Sequence, residues 1–303
     1  MVNLKKLQYQ ISIIIPTLDR EEIAYSTLKM FENQTHLKFE LIIIDQTSGA
    51  STLLSTFQTD AYRYKYYHII EKSLPNARNV AAKIAKGEIL LFVDDDVIPE
   101  PDLISKYIEE FTKHGHGDWL IGGCVTEKGS NILSERKDIT GGYLTKYGKT
   151  LKNFSSESYT ECEWVSGGNF AIRRTTFLEI GGFDTNFIGN AMLEDTDFGF
   201  NVRSHGGRVL FSPKPKLEHT RAKSGGTRCV NVNLSMYYRS HNTVYFFRKY
   251  NKTINLPLVF IYLFGVTIKD LLAKKHTIDA FEYMIKGFFM GLQHPRPSTI
   301  NKP

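Results

Sequence analysis

The sequence predicts an α/β protein with a Rossmann-like, mostly parallel sheet flanked by helices and a helical extension at the C-terminus. Three observations predict this fold class. Short apolar runs alternate with helix-like spacing over about the first hundred residues, which is typical of βαβ units. Polar or acidic residues follow these runs directly, as they do at the ligand-binding edge of an open sheet. From Asn231 onward, aromatic and basic residues are interleaved as in an amphipathic helix.

The first part of the chain alternates between predicted strands and predicted helices. The strands are predicted at residues 11–17, 39–44, 64–70 and 88–93, and the helices at residues 19–33, 75–86 and 99–111. Asp19 is a possible N-terminal cap of the first helix, and Pro75 begins a helix that Gly87 ends. Because crossovers between parallel strands are right-handed, these units predict a doubly wound sheet.

The second part of the chain has weaker periodicity. Strands are predicted at residues 119–125, 169–174 and 207–211, a turn at residues 181–184 and a helix at residues 193–205. Residues 126–161 are polar and rich in Gly, Ser, Lys and Tyr, and we expect them to form a long loop that is functional or mobile.

The C-terminal part has a different composition. Residues 231–250 are predicted to form a basic amphipathic helix. Residues 254–268 are strongly apolar, but Pro257, Lys269 and Asp270 bound or interrupt them, so they fall short of the roughly twenty residues that a membrane span needs. We therefore expect them not to cross a bilayer. We expect these helices to pack against the rest of the protein, with peripheral binding to an anionic membrane or contact between copies of the chain as alternatives.

Composition excludes several classes of protein. The chain has 303 residues, of which 42% are hydrophobic and 23% charged, so it can bury a full core and is not disordered. The formal charge of +6 comes from dispersed basic residues, which suits an anionic substrate or membrane and not a nucleic acid. Cys124, Cys162 and Cys229 form no Cys-x-x-Cys motif, which favours a reducing cytosol. The short apolar run at residues 11–15 is not expected to be a secretory signal.

The densest group of charges follows the fourth predicted strand. Asp94, Asp95 and Asp96 repel one another, so this arrangement is unfavourable unless a cation or several donors meet them. Asp94 and Asp96 point the same way in an extended backbone and could bind a hard cation together. An acidic turn without a ligand is the alternative. The same edge of the sheet would gather the polar residues Thr17, Asp45 and Arg78.

Two further features come later in the chain. Gly167 and Gly168 would let the backbone approach a neighbour closely, although a simple tight turn is the alternative. Glu194 and Asp195 lie in the first turn of a predicted helix, where the helix dipole lowers the cost of keeping Asp195 ionised. We expect Glu194 to be a supporting carboxylate.

An ordered set of motifs over about residues 10–220 resembles that of family 2 glycosyltransferases. The motifs are Ile-Ile-Pro-Thr-Leu-Asp-Arg20, Ile-Ile-Ile-Asp45, Asn76-Ala-Arg-Asn, Phe-Val-Asp-Asp-Asp96, Ser166-Gly-Gly-Asn-Phe, Gly-Gly-Phe-Asp184 and Glu-Asp195. Many members of the family have Asn at the position of Asp19. The chain also lacks the Gln-x-x-Arg-Trp motif of processive polymer synthases, so we expect no processive synthesis.

The resemblance implies a GT-A fold and the inverting transfer of a sugar from a nucleotide-diphosphate sugar, with Mn²⁺ or Mg²⁺ on the diphosphate. It implies that Asp195 is the general base and that Asp96, Asp94 and His219 bind the metal, although His219 could instead be structural. The implied nucleotide-sugar contacts are Pro16, Thr17, Asp45 on the base, Arg78, Asp94, Asp95 and Arg228. The implied acceptor-side or supporting residues are Trp164, Gly167, Gly168 and Glu194. Arg221, Lys223 and Arg228, around Ser224-Gly-Gly-Thr227, could close over the diphosphate.

The extent of the resemblance predicts the domain organisation. Residues 1–228 would form the GT-A catalytic domain, with a nucleotide-binding half at about residues 1–118 and an acceptor half at about residues 119–228. Residues 229–303 would form a C-terminal helical region. We expect the acceptor to be a surface glycan or a lipid-linked oligosaccharide, and the protein to be cytoplasmic, at the inner face of a bacterial membrane.

Three other classes of protein fit the motifs less well. A sugar-phosphate nucleotidyltransferase would normally have a glycine-rich, basic loop after its first strand, where this chain has Pro16-Thr-Leu-Asp-Arg20. A phosphatase with an aspartyl nucleophile needs its acidic motif after the first strand and not after the fourth. A carbohydrate-binding protein without catalytic activity would have no need of Asp195.

Overall fold

A computed structural model describes residues 9–117, 119–127, 138–222, 225–227 and 231–295. Its strands are β1 Ile11–Thr17, β2 Phe39–Asp45, β3 Arg63–His68, β4 Ile89–Val93, β5 Val97–Pro99, β6 Trp119–Glu127, β7 Gly141–Leu144, β8 Thr150–Asn153, β9 Thr160–Glu161, β10 Asn169–Arg173 and β11 Arg208–His219. Its α-helices are α1 Glu21–Met30, α2 Thr52–Ser55, α3 Leu74–Ile84, α4 Leu103–His114, α5 Arg174–Glu179, α6 Glu194–Ser204, α7 Leu234–Lys249, α8 Leu256–Leu272 and α9 Ala280–Gln293.

One sheet runs through the protein in the order β3-β2-β1-β4-β10-β6-β11-β5, with β9 also paired to β11. Strands β3, β2, β1 and β4 are parallel to one another, as predicted. Strand β10 then lies antiparallel between β4 and β6, and β11 is parallel to β6 but antiparallel to β5. The predicted parallel sheet is therefore confirmed for β1 to β4, and the remainder of the sheet is mixed.

The side chains of the parallel strands alternate between two apolar cores, because successive residues of a strand face opposite sides. In β4, Ile89, Leu91 and Val93 pack on the side covered by α1 and α4. Leu90 and Phe92 pack on the other side, with α3, α5 and α6. Since both faces of the sheet are covered, polar groups at the ends of β1 and β4 can meet a ligand at the carboxyl edge.

The C-terminal helices form a third apolar cluster. Helix α7 contributes Met236 and Val244, and it packs on Phe187 and Leu193 in the segment that precedes α6. Helices α8 and α9 also contact α7 and complete the cluster. The prediction that the first C-terminal helix packs against the rest of the chain is confirmed for α7.

The prediction that the apolar C-terminal segment is too short to span a membrane is wrong. Pro257 lies in the first turn of α8, where its missing N–H is not needed, and Lys269 lies within the last turn. With the preceding short 3₁₀ turn, the helix covers Thr253–Leu272, 20 residues with a mean hydropathy of 1.5. Within the described residues it is the one helix long and apolar enough to cross a membrane, judged by length and composition alone.

The prediction of one long loop at residues 126–161 is also wrong. Within its described part, β7 and β8 form a hairpin and β9 joins the main sheet at β11. Gly142 bridges to Trp164, and Gly141 has a φ of 79°, which glycine adopts readily. Each of these strands has only two to four residues, so its sequence shows little periodicity.

Candidate active site

Two cavities adjoin at the carboxyl edge of the sheet. The larger has a volume of about 800 Å³ and opens over the ends of β1 and β4, between Thr17 and the aspartates that follow β4. The smaller has a volume of about 400 Å³ and is lined by residues that include Asp195. Asp94 and His219 line both cavities. Groups on either side of these two residues can therefore act on molecules bound next to each other.

Asp95 is buried at the carboxyl edge of the sheet and connects the ends of β1 and β4. Its carboxylate accepts a hydrogen bond of 2.7 Å from the Thr17 hydroxyl and pairs with Arg20 at 2.8 Å. Its backbone carbonyl accepts a 2.6 Å hydrogen bond from Thr27 of α1. Burial raises the pKa of Asp95 to about 6, although Arg20 and Thr17 oppose this shift. Asp95 therefore ties the turn after β4 to the turn after β1.

Asp94, Asp96 and His219 form a group whose potential ligand atoms all lie within 4.8 Å of one another. His219 ends β11, which pairs with β5 directly after the aspartates, and its Nε2 lies 2.8 Å from Asp96 Oδ1. The other oxygen of Asp96 accepts a 2.8 Å hydrogen bond from the backbone N–H of Ala222. Two carboxylates and an imidazole are a donor set that suits Mn²⁺, so the residues fit the implied metal.

The electrostatics of this group favour ionised side chains. Burial alone would raise the pKa of Asp96, but the hydrogen bond and charge of His219 outweigh it, and the pKa is lowered. Burial likewise opposes protonation of His219, but Asp96 and Asp94 prevail and raise its pKa. The group is thus suited to a cation, which would take the place of the proton on His219.

The Asp94 carboxylate lies so close to the backbone at residue 168 that a side chain there would collide with it. A Cβ atom at Gly168 would lie 2.4 Å from Asp94 Oδ2, which is too short for any contact. The neighbouring Gly167 accepts a 2.9 Å hydrogen bond from Arg78 through its carbonyl. The predicted close approach of the backbone at these glycines is therefore present, and its partners are Asp94 and Arg78.

Glu194 and Asp195 begin α6 at the wall of the smaller cavity. Arg78 is buried and donates a 3.0 Å hydrogen bond to Glu194. Asp195 Oδ1 accepts a 2.7 Å hydrogen bond from the backbone N–H of Thr196. Burial raises the pKa of Asp195, and burial together with the Asp195 charge raises that of Glu194. A carboxylate with a raised pKa takes up a proton more readily, which suits a general base.

The segment after β11 folds over the aspartates. Thr220 donates its N–H and its hydroxyl to the carbonyl of Asp96, at 2.9 and 3.0 Å. Gly226 donates its N–H to the carbonyl of Leu18 at 2.8 Å. Arg221 is exposed and pairs with Glu127 at the smaller cavity. The other predicted phosphate-closing residues, Lys223, Ser224 and Arg228, lie outside the described residues.

Comparison with known proteins decides the family. The family described as glycosyl transferase family 2 matches residues 12–181, which is more than half of the chain. The chain belongs to glycosyl transferase family 2. A GalNAc(5)-diNAcBac-PP-undecaprenol beta-1,3-glucosyltransferase of Campylobacter jejuni is 27% identical over 188 residues, which are 60% of this chain and 57% of that protein. The chain thus spans little more than half of this relative's length.

Two solved structures show that the fold is shared. Staphylococcus aureus TarS 1–349, solved with UDP-GlcNAc, superposes with a TM-score of 0.62 at 16% identity, covering 94% of this chain and 81% of the other. A Pyrobaculum calidifontis mannosyltransferase, solved with GDP-Man and Mn²⁺, superposes with a TM-score of 0.56 at 14% identity, covering 96% and 82%. The predicted GT-A-type fold of this glycosyltransferase is confirmed.

Apart from Arg228, which lies outside the described residues, the predicted site residues lie at the two cavities, except that Asp45 and Trp164 do not line them. Asp45 is fully buried, and its oxygens accept hydrogen bonds from the N–H groups of Thr47 and Ser51 and from the Tyr66 hydroxyl. Its contact with a base stays a prediction. Trp164 is buried edge-on against Phe154, a residue that does line the smaller cavity, so Trp164 lies behind the wall.

Sequence reasoning missed several residues at the cavities of this glycosyltransferase. Arg20 was visible in the Pro16-Thr-Leu-Asp-Arg20 motif, yet its pairing with Asp95 and Asp96 depends on how two turns meet. Asp19 does not cap α1, since it has a φ of 55° and Arg20 stands at the cap position. Tyr238 of α7 lines the larger cavity, and no motif pointed to it.

Proposed function

We propose that the protein transfers a sugar, with inversion, from a nucleotide-diphosphate sugar to an acceptor hydroxyl. The observation that carries this proposal is the position of Asp94 and His219, which line both the larger cavity and the cavity of Asp195. A donor diphosphate in the larger cavity and an acceptor in the smaller one would therefore meet at a single point. Any direct transfer requires such adjoining sites, and inversion would further require that the acceptor attack from the side opposite the leaving group.

The donor side is assigned to the larger cavity. Asp94, Asp96 and His219 would hold Mn²⁺ or Mg²⁺ there. The ion, when bound, neutralises the charge that gathers on the departing diphosphate. The Pyrobaculum mannosyltransferase was solved with Mn²⁺ and a nucleotide sugar, which supports this assignment. Pro16, Thr17 and Lys72 line the same cavity and would contact the nucleotide, with Lys72 as a cation for phosphate oxygens.

The acceptor side is assigned to the smaller cavity. Asp195 would take the proton from the attacking hydroxyl, and its bond to the Thr196 amide fixes one of its oxygens. Arg78 would keep Glu194 in place through their 3.0 Å contact. Lys152 also lines this cavity and could hold an anionic part of the acceptor.

The acceptor is proposed to be a cell-envelope glycan or a lipid-linked oligosaccharide at the cytoplasmic face of the membrane. Support comes from the Campylobacter relative, whose acceptor is a PP-undecaprenol-linked glycan. Further support comes from α8, whose apolar side is largely exposed in the described structure. We propose that this face contacts the bilayer peripherally; pairing of two copies through it is the alternative.

Thermal-shift measurements with UDP, GDP, CMP and dTDP, each with and without Mn²⁺, test the proposed function. We expect one nucleoside diphosphate to raise the melting temperature in a manner that depends on the metal. The responding nucleotide would identify the donor class. If the protein bound none of these nucleotides, either in thermal-shift measurements or in calorimetric titrations at high nucleotide concentration, the result would contradict a donor site in the larger cavity.

A further inference from the structure

Helix α7 holds the chain segment that leads into α6. The side-chain amide of Asn242 accepts the N–H of Ile188 at 3.2 Å and donates to its carbonyl at 3.1 Å. The ring of Tyr238 covers Gly189 so closely that a Cβ there would lie 2.3 Å from it. Phe187 packs edge-on against Tyr245, with ring centroids 5.4 Å apart. The segment before Asp195 is thus fixed by a helix that lies outside the predicted catalytic domain.

Lys249, in the last turn of α7, adds an ion-pair contact to these. Its Nζ lies 2.8 Å from Asp184 Oδ2 and 2.8 Å from Asp197 Oδ2, and only 7% of its side chain is exposed. Tyr250 donates from its hydroxyl to Asp197 at 3.0 Å, and Tyr245 donates to Asp184 at 2.9 Å. The buried carboxylate of Asp197 and the partly buried one of Asp184 therefore share one ammonium group, and removing it would deprive both of this cation.

The side chains of Asp195 and Asp197 lie in the first turn of α6 and point in opposite directions. Residues two apart on an α-helix are separated by about 200° around its axis. Asp195 lies at the smaller cavity, while Asp197 is buried against Lys249. Just before the helix, Ala191 and Leu193 have φ values of 53° and 73°, a backbone conformation that persists only when the surroundings enforce it. The ion pair is one of the contacts that can enforce it.

We propose that Lys249 is a positioning residue for sugar transfer, because it fixes the first turn of α6 and thereby aims Asp195 into the smaller cavity. This inference rests on the proposed role of Asp195 as the general base. It also makes α7 a part of the active site and not an appended helix.

Two variants test the proposal, together with a matched control. Lys249→Met removes the ammonium group, and Lys249→Met/Asp197→Asn also removes one carboxylate, so that the buried site returns to its original net charge. Lys83→Met changes an exposed lysine on α3 and serves as the control. The readouts are the melting temperature, nucleoside diphosphate released from UDP-N-acetylglucosamine, UDP-glucose and GDP-mannose with Mn²⁺, and hydrogen exchange of the amides at residues 194–198.

We expect the double variant to regain most of the melting temperature lost in Lys249→Met. We expect its kcat to stay roughly tenfold to a hundredfold below that of the wild type, with the donor KM unchanged, since a displacement of about 1 Å at the reacting groups can cost a factor of that size. Exchange at residues 194–198 should be faster in both variants than in Lys83→Met. A folded double variant with wild-type kcat and wild-type exchange would overturn the proposal.

Failure of the proposed function would look different. If the wild type released nucleoside diphosphate from none of these donors, the assignment of the reaction would be wrong. The exchange measurement would still decide whether Lys249 holds α6, because it requires no substrate. Unchanged exchange at residues 194–198 would overturn the inference whatever the activity.

Discussion

The three consecutive aspartates have three different sets of neighbours, and these separate their roles. Asp95 is buried and satisfied by Thr17 and Arg20, so it serves the fold of the edge. Asp96 is shared between His219 and the amide of Ala222, which favours its ionised form. Asp94 is the most exposed of the three and lines both cavities. The charge that faces the ligand is therefore concentrated on Asp94 and Asp96.

Gly168→Ala should weaken metal-dependent nucleotide binding. The new Cβ would lie 2.4 Å from Asp94 Oδ2, so the Asp94 carboxylate must leave the position in which it faces Asp96 and His219. Disturbing a metal ligand in this way typically costs about tenfold to a hundredfold in affinity. Calorimetric titration with Mn²⁺ and the nucleotide measures the effect. Gly265→Ala is the matched control, because no atom lies within 4 Å of its added Cβ. Equal affinities in the two variants would contradict the assignment of Asp94.

Residues in local motifs were predictable, and residues paired across turns were not. Asp94 and Asp96 were predicted from one local motif and His219 from the family resemblance alone, and the structure brings their ligand atoms together. Arg20 was not predicted, because its role depends on the packing of β1 against β4. Sequence could not show that Asp45 would be enclosed by its own turn.

Helix α6 shows how one element serves two purposes. Its first turn presents Asp195 to the smaller cavity and buries Asp197 against Lys249. The helix has no side-chain cap at its start, where Leu193 has a positive φ. Contacts from other elements therefore take the place of a side-chain cap.

Asp197→Asn should gain stability relative to the wild type as the pH rises from about 4 to 6. Burial raises the pKa of Asp197 from 3.8 to about 6, against the charge of Lys249. In this window the folded protein keeps a proton that the unfolded chain has lost, so wild-type stability falls by up to about 1.4 kcal/mol per pH unit. Asparagine lacks this dependence. Urea unfolding at pH values across the window measures it, and a constant difference between the two proteins would contradict it.

Strands β1 to β4 and helices α1 and α3 were predicted because their signals are local, whereas the short α2 and β5 were not predicted. The apolar runs of β1, β2 and β4 are continuous, and they are buried on both faces. The hairpin of β7 and β8 was missed because each strand has only four residues, too few for a sustained alternation of apolar and polar side chains. The full length of α8 was missed because Pro257 was taken as an interruption, although its position in the first turn is compatible with a helix.

At the scale of the whole molecule, α8 and α9 leave an apolar face uncovered. Its exposed residues include Leu258, Ile261, Phe264 and Leu272 of α8 and Phe289 of α9. Lysines 269, 274 and 275 follow at one end of α8 and are also exposed. An apolar helix face with a basic end is the arrangement that binds the surface of an anionic bilayer.

Ile261→Glu/Leu272→Glu should abolish flotation with anionic liposomes and leave the melting temperature nearly unchanged. Both side chains are mostly exposed, so the fold does not depend on them. Each would lose roughly 1.5–3 kcal/mol of burial in the bilayer, or about tenfold or more in partitioning. Ile70→Glu is the control, since Ile70 is more exposed than either residue but lies on the loop after β3. The proposed membrane contact would be contradicted if the wild type did not float, or if the double variant floated as well as Ile70→Glu.

The most direct test of the whole account is turnover and nucleotide affinity in Asp195→Asn. The variant keeps the shape of the side chain and leaves the donor site at Asp94, Asp96 and His219 untouched. We expect turnover to fall by about a hundredfold to ten-thousandfold, the usual contribution of a general base, while metal-dependent nucleotide affinity stays the same. Asp60→Asn serves as the control, because Asp60 is exposed and lines neither of the two cavities. Normal turnover in Asp195→Asn would contradict the account.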